Sequence, residues 1–97
     1  MSRSSASHVK PILCRPNEVM SLKAAADYAR YDVKVVRKWV TEHGIGRQAG
    51  MGSRIDVSRI GLEMVLHGDY DALEKLREGD RFDPDVARYF HFAGIDP

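Results

Sequence analysis

Cysteine occurs once in these 97 residues, at Cys14, which excludes an intramolecular disulfide and a cysteine-built zinc site and fits a reducing compartment. No apolar run approaches the roughly 20 residues a membrane helix needs. The opening MSRSSASHVK lacks the apolar stretch of a signal peptide. The histidines His8, His43, His67 and His91 are scattered, with neither HExxH nor His/Cys spacing, and read as surface or helix-end residues. The glycines fit neither a GxxxxGKS/T nor a GxGxxG loop, and the acidic residues follow no EF-hand order. Cys14 has no histidine near it in sequence to activate it as a nucleophile. No catalysis, metal, cofactor, small-molecule substrate or membrane partner is therefore expected. A soluble, intracellular protein of bacterial type remains, long enough for one domain with a modest core.

What the chain does have is segregated charge. Residues 1–60 carry 11 Lys or Arg against 5 Asp or Glu, and residues 61–97 carry 4 against 9, so halves of +6 and −5 hide behind a net charge of +1. That distribution suits a front that meets a polyanion and a back that avoids one.

The apolar periodicity predicts mainly α structure with a small β-hairpin. Residues 1–16 are Ser-rich and basic, broken by Pro11 and Pro16, and read as a flexible arm whose Arg3, Lys10 and Arg15 are candidate DNA contacts. Ile12-Leu13 is a candidate anchor or short strand for its end. Ser21 caps a helix from about Leu22 to Arg30, with Leu22, Ala25, Ala26 and Ala29 in a narrow stripe. Asp32 caps a second helix, Val33 to His43, stopped by Gly44. Its Val35, Val36, Trp39 and Val40 fall on one side, expected to bury against the alanines. Lys34, Arg37, Lys38 and Thr41 fall on the other.

Gly44, Gly46, Gly50 and Gly52 punctuate the next segment, and a hairpin turn is expected at Gly50-Met51-Gly52-Ser53. Arg47, Gln48, Met51, Ser53 and Arg54 are its candidate contacts to nucleic-acid backbone or minor groove, with Arg47 and Arg54 as phosphate clamps. Ser58 caps a third helix to His67, with Ile60, Val65 and Leu66 as core and Leu62 and Met64 as weaker candidates. Tyr70–Glu78 is amphipathic, and Asp83-Pro84 opens a last helix to Phe92. A DNA-binding domain over 17–79 and a helical tail over 80–97 follow. The rings of Tyr89, Phe90 and Phe92 either pack back on the domain or, with Phe82, dock, acidic tail to basic head, on a neighbouring copy.

Ser21-Leu22-Lys23-Ala24-Ala25-Ala26, the Asp32 cap, Arg37-Lys38-Trp39-Val40 and Gly-Met-Gly-Ser-Arg-Ile before Asp56-Val57-Ser58 carry a resemblance. From Met20 to Leu66 the chain resembles the excisionase branch of the MerR-like winged helix-turn-helix superfamily. Size and layout are most similar to recombination directionality factors of integrative and conjugative elements. The resemblance implies a nucleoid-associated architectural protein that binds several sites on double-stranded DNA, bends it and biases an integrase towards excision without catalysing a step. Small transcription regulators and small phage terminase subunits share the architecture, and a protein-binding adaptor is the alternative of another class. The sequence departs from the pattern at Arg30, where many relatives have glycine in the turn, and in its longer tail. On side-chain chemistry, Arg37 is the best candidate for reading guanine, with Lys34 and Lys38 as phosphate anchors.

Overall fold

Every α-helix starts on a side-chain cap. In the computed structural model, which describes residues 10–50 and 52–97, Ser21 Oγ accepts from the Ala24 N–H at 3.0 Å and opens α1, Leu22–Ala29. Asp32 Oδ1 accepts from the Lys34 N–H at 2.8 Å and opens α2, Val33–His43, which closes at Gly44. Ser58, Asp69 and Asp83 do the same for α3 (Arg59–Leu66), α4 (Tyr70–Arg77) and α5 (Pro84–Ala93). Each cap satisfies an N–H that the helix start leaves free, worth about 1 kcal/mol.

A three-stranded antiparallel sheet accompanies these five helices. Strands β1 (Val19–Ser21), β2 (Gly46–Arg47) and β3 (Asp56–Ser58) lie in the order β1-β3-β2. Strand β1 corrects the expectation of a hairpin alone: Val19, Met20 and Ser21 face Ser58, Val57 and Asp56. Ile12-Leu13 supplies no strand. The expected tight turn is also looser, because β2 and β3 pair only at Gly46 with Val57 and Arg47 with Asp56. A loop, Gln48 to Ile55, joins them. Strand β2 lies hard against α2: a Cβ on Gly46 would sit 2.6 Å from Val40 Cγ1, so only glycine fits.

Helix α3 is the centre. Ile60, Leu62, Met64 and Val65 are buried, with Leu66 only half-buried. Leu62 and Met64, the weaker expectations, are fully inside because α3 is covered by α1 on one side and by α4 and α5 on the other. Helix α2 departs the other way. Val36 alone is buried, while Val35, Trp39 and Val40 are half-buried and Val33 is exposed. Helix α2 packs chiefly on α1, so its stripe has cover on one flank only. Trp39 instead meets the exposed Tyr31 edge to face, centroids 4.9 Å apart.

The described segment from Lys10 and the C-terminal helix both join the body. Helix α5 is no separable tail: Val86, Tyr89 and Phe90 are core residues packed with α3 and α4. Arg3 lies outside the described residues. From Lys10 onward the segment is seated where a free arm was expected up to residue 16. Ile12 is buried, and a 3-10 turn at Pro16–Glu18 leads into β1. Three guanidiniums hold this strap: Arg77 donates to Lys10 O at 2.9 Å, Arg81 to Leu13 O at 2.9 Å and Arg47 to Cys14 O at 3.0 Å.

Arg81 also pairs with the buried Glu18 at 2.7 and 3.0 Å and lies 5.0 Å from the centre of the Phe90 ring. Burial pushes the Glu18 carboxyl up, but the hydrogen bonds and charge of Arg81, with help from Arg15, outweigh it and hold the group below its ordinary 4.5. A lowered carboxylate pKa gives stability that is present above the unfolded value and lost as pH falls through the folded one. Melts recorded against pH are expected to show Tm falling below about pH 4.5, with a shallower fall in Glu18→Gln. Arg81→Met, which strands a buried carboxylate, is expected to cost about 3 kcal/mol.

The α1–α2 turn carries its own test. Arg30 closes α1 at φ 64°, ψ 38°, and is the one non-glycine with positive φ among the described residues. A side chain there costs roughly 1 kcal/mol. Arg30→Gly is expected to recover most of that, read as a rise in the urea midpoint without change in slope.

Candidate nucleic-acid interface

Helix α2 presents a cationic face beside the β2–β3 loop, and Arg37 and Thr41 of that helix meet loop residues in one cleft. The helix owes its outward face to its thin cover, with Val36 turned in and Lys34, Arg37, Lys38 and Thr41 all exposed. Lys38 Nζ lies 3.9 Å from Glu42 Oε2, a loose pairing along the helix. Lys34 and Arg37 have no acidic partner among the described residues. The Thr41 hydroxyl donates to the Arg37 carbonyl at 3.3 Å and keeps its oxygen free to accept.

The loop residues divide by role. Gln48 Nε2 donates to Ser53 O at 2.5 Å, and the Ser53 N–H donates to Gly50 O at 3.0 Å, so the loop is clipped shut across its own neck. Arg54 is 86% exposed and touches Asp56 Oδ1 at 3.4 Å through Nε. Arg47, expected as a clamp like Arg54, is 46% exposed and lines a surface cleft with it, and is bonded to Cys14 O and 3.4 Å from Asp56 Oδ2. The strap carbonyl has no strand partner and takes the guanidinium. Met51 lies outside the described residues.

The two sets of side chains converge. Arg37 and Thr41 of α2 line the same cleft as Gln48, Ser53 and Ile55, with Leu22 of α1 completing it. The cleft measures about 440 Å³. Its apolar members, Leu22 and Ile55, are half-buried; the sequence marks Leu22 as part of the α1 stripe and does not place it at the interface.

The remaining expected contacts lie elsewhere. Lys10 Nζ pairs with Glu78 at 3.0 Å, and Arg15 Nη1 sits 3.6 Å from Glu18 and 3.5 Å from Pro97 O. Both are spoken for by the body of the protein. Of the four aromatic docking candidates, Phe90 is 0% and Tyr89 8% exposed, whereas Phe82 and Phe92 are 80% and 69% exposed. The Tyr89 hydroxyl donates to Asp69 at 2.7 Å, and burial with that bond pushes its pKa up to about 12. Tyr89 and Phe90 belong to the core; Phe82 and Phe92 remain available. No metal-type cluster of His, Cys, Asp and Glu occurs among the described residues, and none of their helices is long and apolar enough to cross a membrane.

One residue that sets this surface was invisible to pattern reading. Arg77 is 7% exposed on α4 and donates at 2.6 Å to the carbonyl of His43, the last residue of α2. Its positive charge faces the negative end of the helix dipole. His43 stacks on Tyr70 at 5.1 Å beside it. Helix α2, thinly covered along its length, is thus pinned at its end from behind. Arg77→Met is expected to leave two carbonyls without their donor and cost about 3 kcal/mol. Hydrogen exchange is the check: protection over 40–43 should fall more than protection over 60–65. Arg77→Lys should restore only part, since one ammonium cannot reproduce the fork.

No protein-family model, curated protein or solved structure matches the chain, so its function rests on this geometry.

Proposed function

We propose that the chain is a winged helix-turn-helix protein that binds double-stranded DNA sequence-specifically and acts as an excisionase, a recombination directionality factor. On this reading α1, the Tyr31-Asp32 turn and α2 are the helix-turn-helix, α2 enters the major groove, and the β2–β3 loop is the wing beside it. The protein loads in several copies on attachment-site DNA, shapes it and favours integrase-mediated excision of a mobile element, without catalysing a step. Several copies are needed because one such unit reads few base pairs. Phe82 and Phe92 are the rings left on the surface for contacts between copies.

The observation that carries the DNA reading is the convergence just described. Arg37, exposed and without an acidic partner among the described residues, lines the cleft that the loop residues Gln48 and Ser53 also reach, and Lys34 and Lys38 lie exposed on the same helix. The recombination role rests on the sequence resemblance and goes one step further.

The double substitution Arg37→Ala with Lys38→Ala separates this reading from a protein-binding adaptor. Both side chains are exposed, so circular dichroism and Tm should stay unchanged. Retardation of attachment-site duplex should be lost, at least tenfold in Kd, and the wild type should show log K falling with log salt at a slope of roughly −4 to −5 for about five neutralised phosphates. Addition of the wild type to integrase and supercoiled attachment-site DNA should raise excision, and the variant should not. Retardation unchanged by the double substitution would sink the DNA reading; DNA binding without any change in excision would sink the recombination role alone.

A further inference from the structure

We propose that the cleft between α2 and the β2–β3 loop seats one phosphodiester of the DNA backbone, with Arg37 pairing its charge. Base reading then falls to Lys34 and Lys38. This inference rests on the DNA reading above, and it reverses the assignment that side-chain chemistry alone suggests.

The geometry of the helix makes the case. At about 100° per residue, Arg37, Thr41, Lys34 and Lys38 follow one another around the helix at about 40°, 80°, 100° and 140° from Val33, so Arg37 lies nearest the loop and Lys38 farthest from it. Arg37 and Thr41 line the cleft, and neither Lys34 nor Lys38 does. A group held in a cleft beside the helix is set back from the surface that penetrates deepest into a groove.

The chemistry of the lining fits an anion. Arg37 brings a fixed positive charge with no acidic partner among the described residues. Ser53 brings a hydroxyl able to donate, the Thr41 hydroxyl does so once it turns from the Arg37 carbonyl, and the clip from Gln48 to Ser53 O holds the far wall in place. Leu22 and Ile55 form the apolar part of the lining. No carboxylate lines the cleft. An opening of about 440 Å³ has ample room for a tetrahedral phosphate.

The experiment uses the full chain, 20-base-pair duplexes selected from a randomised pool, and unselected duplexes of equal length. Arg37→Gln should weaken both kinds of duplex alike, on the order of tenfold, and make the salt slope shallower by about 1. Lys34→Ala or Lys38→Ala should instead lower the ratio of selected to unselected affinity. A scan of neutral methylphosphonates through the selected duplex should find one position that weakens the wild type and leaves Arg37→Gln indifferent. If Arg37→Gln keeps the salt slope and lowers the selectivity ratio, Arg37 reads a base and the proposal is overturned while DNA binding stands. If the wild type binds no duplex, both fall together.

Discussion

The carbonyl groups of the strap from Lys10 to Cys14 have no strand to pair with, and this shortage organises the cations of the whole molecule. Arg77, Arg81 and Arg47 donate to Lys10, Leu13 and Cys14 respectively, each within 3.0 Å. Lys10 and Leu13 are exposed and Cys14 half-buried, and the three guanidiniums bind their carbonyls in place of strand partners. The same three reach further. Arg77 holds the end of α2, Arg81 holds Glu18, and Arg47 meets Asp56. The strap, the C-terminal helices and the α2 surface therefore form one mechanical unit.

That constraint sorts basic residues that look alike in sequence. Arg77 and Arg81 are fasteners set into the body, and Arg47 fastens the strap from the surface. Lys34, Arg37, Lys38 and Arg54 are left facing solvent. The acidic surplus of residues 61–97 is partly consumed in the same way, since Glu78 pairs with Lys10 and both Asp83 and Asp85 pair with Lys75. The contrast between a basic front and an acidic back is therefore smaller in space than along the chain. What survives it is the α2 face, where the one carboxylate in reach, Glu42, sits at the outer limit of pairing with Lys38.

Local chemistry was legible in the sequence and long-range chemistry was not. Ser21, Asp32, Ser58 and Asp83 mark helix starts because a cap acts within three residues of itself. The outward cations of α2 were legible for the same reason, since Lys34 and Lys38 lie two residues, about 200°, from Val36. Strand β1 was missed because three residues carry no readable alternation, and their partner, β3, lies some 35 residues away. Arg77 was missed because an arginine at the edge of an amphipathic stripe normally faces water. Its burial depends on carbonyls from two distant segments. Leu62 and Met64 were underrated because a pattern test assumes one buried face, and α3 has cover all round.

The first turn of α2 bears on what its surface is for. Lys34 stands there with no acidic residue beside it inside the helix, against the positive end of the helix dipole. Such a placement costs an isolated helix a few tenths of a kcal/mol, and only the Asp32 cap relieves it. A cation in that position gains when a polyanion lies along the helix, because the dipole and the lysine then attract the same partner. Folding alone would favour an acid at position 34. A lysine there, with thin cover over Trp39 and a pin behind at Arg77, is a surface kept open at some expense to stability, which is the compromise expected where an interface is sited on a helix.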